Sequence, residues 1–137
     1  MIKNILKGFA VMATMLALGM TTFTSKASAA TTPMDLCTGT VLKVETRKSQ
    51  VFCTKMVQDM MNIAHVHYIG WQQHPHWPFV ATDGDFYKQT EKAVVAYQFN
   101  QVMRGSPIAA DGIVGPNTWD AIKVDCGRWG VWYCRPV

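Results

Sequence analysis

Glutamate is scarce in this chain. Only Glu45 and Glu91 occur among 137 residues, and neither sits in a distinctive motif. Cleavage of a glycosidic bond needs a pair of positioned carboxylates, so a glycosidase is not expected. No C-x-x-C pair is present, which speaks against zinc held through cysteines. Lysine and arginine nowhere cluster, so the basic footprint of a nucleic-acid binder is missing. No fully apolar run approaches the roughly 20 residues of a membrane span. No cysteine directly follows the one apolar run, which excludes a lipoprotein anchor; Cys37 lies too far downstream. With no constellation of nucleophile, base and charge stabiliser in view, the chain reads as non-catalytic, with no cofactor.

What is present begins with an N-terminal address. Lys3 and Lys7 precede the uncharged stretch from Gly8 to Ser25, which contains GFAVMATMLALGM, and Ala27-Ser28-Ala29 follows as a small-x-small site. Residues 1–30 therefore read as a secretory signal peptide. Of 13 basic residues, Lys3, Lys7 and Lys26 leave with it, and none of the 9 acids does, so the remainder carries 10 minus 9, or +1. The expected location is secreted or cell-wall associated (periplasmic if there are two membranes), with no membrane contact once the leader is gone. The remainder is 137 minus 30, or 107, residues. That is enough for one modest core, and a monomer is expected. Cys37, Cys53, Cys126 and Cys134 all lie in it and read as two disulfides. Neighbour pairing closes short loops; nested pairing ties the ends together; the spacing leaves both open.

Residues 31–52 form an N-terminal extension, in which TVLKVETRKSQVF suggests a small hairpin. In 53–64, Cys53, Met56, Val57, Met60, Met61 and Ala64 follow helical spacing and predict a methionine-rich core face. Residues 65–81 break that pattern at Gly70, Pro75 and Pro78. Residues 88–103 predict the longest helix, with Ala93, Val94 and Tyr97 on one face and Val95, Phe99 and Val102 on a second, which the preceding aromatic segment would cover. A third helix is predicted over 116–123, with Gly115 as N-cap and Pro116 at the first helical position. Residues 125–137, with CGRWGVWYC, form a cysteine- and aromatic-rich tail, a hairpin or hook packed by Trp129, Trp132 and Tyr133.

One unit is written twice. Asp83, Gly84, Phe86, Thr90 and Ala93 recur as Asp111, Gly112, Val114, Thr118 and Ala121 at a fixed offset of 28 residues. Each copy reads as a turn, an apolar anchor, a threonine meeting the free amides of a first helical turn, and a small residue where helices approach. The two aspartates are turn formers on this reading.

These residues carry a resemblance. DGDFYKQTEKAVVAYQ (Asp83, Gly84, Phe86, Thr90, Ala93, Val94, Gln98) followed by ADGIVGPNTWDAI (Asp111, Gly112, Val114, Gly115, Pro116, Thr118, Trp119) resembles the peptidoglycan-binding domain of exported bacterial wall hydrolases. MVQDMMN, with Gln58 and Asn62, is similar to that family's first helix, and the likeness spans residues 53–124. Tyr87 replaces a usual glycine and Tyr97 a usual phenylalanine. The stretch from Gln58 to Asp83 is about eleven residues longer than is typical, and that from Gln98 to Asp111 about five, both between helices where insertions are tolerated. The resemblance implies an all-α, compact three-helix bundle with two Asp-Gly loops, here with short disulfide-bonded N- and C-terminal extensions. It implies a stand-alone peptidoglycan-binding module, with a cell-wall hydrolase as the partner it would target.

The longer insertion holds the remaining candidates. Tyr68, Trp71 and Trp77 are the candidate ligand-binding residues, since flat rings stack on the C–H faces of sugars; the alternative is that they cover the long helix. His65, His67, His74 and His76 make two H-x-H pairs, which on an extended strand would share a side, but no carboxylate or cysteine stands at ligand spacing, and no metal site is assigned. The rival function is an extracellular protein-interaction or metal-binding protein using the His/Trp-rich insertion 65–79.

Overall fold

The computed structural model describes residues 31–46, 48–68 and 77–136. The signal-peptide reading of residues 1–30 lies outside these, as do Trp71, His74 and His76. Three helices make up the frame: α1 (Val51–Tyr68), α2 (Lys88–Met103) and α3 (Pro116–Arg128). Short 3-10 turns at Pro33–Leu36, Val44–Thr46 and Trp132–Cys134 flank them, and no strand forms among the described residues. The fold is the expected all-α three-helix arrangement.

Helix α1 buries Met56, Val57, Met60, Met61 and Ala64, so the methionine face is core. It begins two residues before the expected start, at Val51, and continues four residues past the expected end, through His65, Val66 and His67 to Tyr68. The physical reason is that His65, Val66, His67 and Tyr68 include no glycine or proline, so nothing in them opposes a helix. Helix α2 has the expected limits but is not the longest helix: it has 16 residues against 18 in α1, which is longer than expected at both ends. Its end is a Schellman motif: the Gly105 amide donates to the Val102 carbonyl at 2.9 Å and the Ser106 amide to Gln101 at 2.9 Å, with Gly105 at φ 86°. Ala93, Val94 and Tyr97 are fully buried, but Phe99 is 43% and Val102 41% exposed. Trp77 packs near Tyr97 and His65, and the rest of the aromatic segment expected to cover the second apolar face, residues 69–76, lies outside the described residues.

Helix α3 starts as expected, Gly115 then Pro116, but runs on to Arg128 and takes Cys126 out of the tail. A second Schellman motif closes it, Gly130 donating to Gly127 and Val131 to Cys126, with Gly130 at φ 68°. The tail after it is a hook rather than a hairpin. Trp132 is exposed, Tyr133 buried and Trp129 partly buried.

The expected N-terminal hairpin does not form among the described residues. Leu42 instead pairs antiparallel with Val114, in the second Asp-Gly loop, and Thr46 folds back on Lys43 in a 3-10 turn. A β-branched run forms a strand only where a partner strand exists, and among the described residues of this run Leu42 alone makes a bridge. The extension is nonetheless part of the core. Met34, Cys37 and Leu42 are fully buried, and Trp119 Nε1 donates to the Thr40 carbonyl at 2.8 Å. Thr32 and Asp35 form a capping box over its first turn.

Disulfide pairing is between neighbours: Cys37–Cys53 ties the extension to α1, and Cys126–Cys134 ties α3 to the hook. Both bonds are within the chain, and among the described residues no helix is long and apolar enough to cross a membrane.

Candidate functional site

The repeated unit is larger than the sequence echo. Each Asp-Gly loop is held by a buried glutamine from the preceding helix. Gln58 Nε2 donates to Asp83 Oδ1 (2.8 Å), the Asp85 carbonyl (3.2 Å) and Thr90 Oγ1 (3.2 Å), while Gln58 Oε1 accepts from the Gly84 amide (2.9 Å). Gln98 repeats the set with Asp111 (3.2 Å), the Ile113 carbonyl (2.8 Å), Thr118 (3.1 Å) and the Gly112 amide (2.8 Å). The aspartates are turn formers as expected, each also accepting from the amide two residues on. The threonines differ from expectation. They receive the glutamine and face a loop carbonyl rather than the amides of the first helical turn. Phe86 and Val114 are fully buried anchors. The two clasps fix where α2 and α3 begin, and so where their far ends converge.

At those far ends lies a polar node. Asp125, 2% exposed on α3, accepts from Tyr68 Oη (2.6 Å), Tyr97 Oη (3.0 Å) and Gln101 Nε2 (2.5 Å) on Oδ2. Its Oδ1 accepts from Arg128 (3.0 Å) and lies 3.9 Å from Arg104. Arg104 also donates to the Tyr68 hydroxyl, with its guanidinium carbon 5.0 Å from that ring's centroid. Burial, then the Asp125 carboxylate, pushes the Tyr68 and Tyr97 phenols well above the ordinary tyrosine range, so both remain donors.

Above this node opens a cleft of about 410 Å³, lined by His67, Tyr68, Asn100, Met103, Arg104, Arg128 and Trp129. His67 and Trp129 stack face to face, with centroids 4.6 Å apart and planes 2° apart. Trp129 meets Tyr68 edge-on at 5.4 Å. The cleft thus combines a flat aromatic wall, one buried amide and two cations. Such a combination holds a small ligand with an apolar face and negative charge.

Of the sequence candidates, Tyr68 lines this cleft. Trp77 does not: its ring sits half-buried 5.9 Å from His65, 6.2 Å from Tyr68 and 6.4 Å from Tyr97, backing Tyr68 from behind. Trp71 is outside the described residues. The first H-x-H pair is on a helix, not a strand, so its rings diverge: His65 packs on Phe79 at 4.2 Å and His67 on Trp129. Among the described residues no group of three or more His, Cys, Asp or Glu could hold a metal ion. Sequence reasoning missed Asn100, Arg104, Asp125 and Arg128. Tyr97, Gln101 and Arg104 at i, i+4 and i+7, with Asp125 three residues before Arg128, were the available signal. Compared with protein-family models, curated proteins and solved structures, the chain matches none.

Proposed function

We propose that this protein binds peptidoglycan non-covalently, without catalysing a reaction on it, and serves to bring a partner hydrolase to the bacterial wall. The observation that carries the reading is the pair of glutamine clasps. Gln58, Asp83, Gly84 and Thr90 in one clasp, and Gln98, Asp111, Gly112 and Thr118 in the other, are all residues through which the sequence resembles the peptidoglycan-binding domain. Two disulfides support an exported setting, where thiols are oxidised. The cleft at the helix ends supports a ligand rather than a purely structural role, since it offers aromatic faces, an amide and two guanidinium groups together.

The test is co-sedimentation of the oxidised protein with purified insoluble peptidoglycan. Saturable binding, competed by solubilised wall fragments, is the expected result. A folded protein that stays in the supernatant at every concentration removes the wall reading and favours a protein partner.

A further inference from the structure

The cleft lining is donor-rich and acceptor-poor. Among the described residues, Arg104 and Arg128 are both cations, no carboxylate lines the cleft, and Asn100 contributes the one side-chain amide. Beneath it Asp125 carries one negative charge against the two guanidinium groups, which leaves a net positive charge at the cleft. Each guanidinium has five N–H donors. Arg128 spends one nitrogen on Asp125; Arg104 directs one at Tyr68 and Asp125. The side chains are 40% and 52% exposed for Arg104 and Arg128, so their other donors are open to a ligand. Both arginines stand at helix C-termini, where the helix field favours a cation and helps fix its position.

A neutral glycan fits this lining poorly. Sugar hydroxyls need acceptors as well as donors, and two arginines supply none. A carboxylate fits well, because the planar guanidinium fork pairs with it in two parallel bonds. The stacked His67–Trp129 pair and the exposed Met103 supply an apolar face for a small side chain beside that carboxylate. In peptidoglycan the N-acetylglucosamine units are neutral, and carboxylates belong to the stem peptides. Resting on the wall-binding reading, we infer that the Arg104–Arg128 cleft recognises the terminal carboxylate of a peptidoglycan stem peptide.

The test is calorimetric titration of the oxidised protein with four probes: a muramyl-tetrapeptide with a free C-terminal carboxylate, its C-terminal amide, a chitin tetrasaccharide and inorganic phosphate. The free acid is expected to bind, and the amide at least about tenfold more weakly, as for loss of a charge-assisted bond. The tetrasaccharide and phosphate are expected not to compete. Arg128→Gln and Met103→Glu are each expected to weaken the free acid at least about tenfold. Met103 is 56% exposed and makes none of the hydrogen bonds of the clasps or the node, so that variant tests the cleft even if the arginine variant unfolds. Equal binding of acid and amide, full affinity in both variants, or effective competition by phosphate would overturn the inference. If such a protein still sediments with the insoluble wall, the carboxylate inference alone fails. If a folded protein neither sediments nor binds either muropeptide, the wall reading falls with it.

Discussion

Gln58 closes on Gly84 as a hand closes on a rail: its carbonyl accepts the glycine amide at 2.9 Å while its amide reaches Asp83 on the same loop at 2.8 Å. Gln98 does the same to Gly112 and Asp111. All the groups involved are polar, and both glutamine side chains are buried, so neither clasp can be replaced by water without moving a helix.

Truncating either glutamine therefore strands a buried glycine amide and removes several bonds. Gln58→Ala and Gln98→Ala should each cost about 2–3 kcal/mol in urea unfolding. Gln58→Glu should be no better at neutral pH, because the new carboxylate has no donor for Asp83, Asp85 or Thr90 and adds repulsion with Asp83.

The two loop glycines are not equivalent. Both have positive φ, 81° at Gly84 and 77° at Gly112, so alanine strains both by about 1–2 kcal/mol. A Cβ at Gly84 would meet Val51 Cγ1 at 2.6 Å and the Val51 carbonyl oxygen at 3.1 Å, part of a helix backbone that cannot step aside. At Gly112 it would meet the Glu91 and Val95 side chains at 2.7 and 3.2 Å. Gly84→Ala should lower Tm more than Gly112→Ala.

Asp125 and its arginines should respond asymmetrically. Asp125→Leu strands two tyrosine hydroxyls and the Gln101 amide in a buried site and should cost about 3 kcal/mol or more. Arg128→Gln removes a half-exposed partner and should cost about 1 kcal/mol or less. Paired chemical-denaturation curves check the difference.

Acid and alkali should act through different groups. Lys123, followed by the Thr32 amide and hydroxyl, holds the Asp35 carboxyl at about 2, below its ordinary 3.8. The Asp85 amide and Gln58 lower Asp83 as well. Folded carboxyls with depressed pKa bind fewer protons than unfolded ones. Their contribution is full above pH 3.8 and fades as pH falls through the folded values, which for Asp35 is about 2. Burial raises the Tyr68, Tyr97 and Tyr133 phenols above 10.0. Their contribution is full below that pH and is lost above it as the unfolded phenols ionise. Urea midpoints across the range should fall at both ends, and Asp35→Asn should flatten the acid limb only.

The frame of the molecule was legible because periodicity carries it. Met56, Met60 and Ala64 marked α1, and Gly115-Pro116 marked the start of α3. The aspartate turns and their anchors were legible as a repeat. The cleft was not, because it is assembled from the C-terminal ends of three helices. Tyr68, Arg104 and Arg128 are 36 and 24 residues apart in the chain, and no local spacing joins them. The insertion misled for the opposite reason. Its aromatic and histidine content drew attention to Trp77, which packs inward, and to an H-x-H pair that a helix separates.

On the proposed function, wall fragments bind at the Tyr68–Arg104–Arg128 cleft. The most direct measurement is a 15N-amide chemical-shift titration of the oxidised protein with solubilised peptidoglycan fragments. Saturable shifts are expected, clustered at Tyr68, Asn100, Arg104, Arg128 and Trp129, with the indole N–H of Trp129 among them. A folded protein whose amides do not move, or whose shifts lie only around the two Asp-Gly loops, would contradict it.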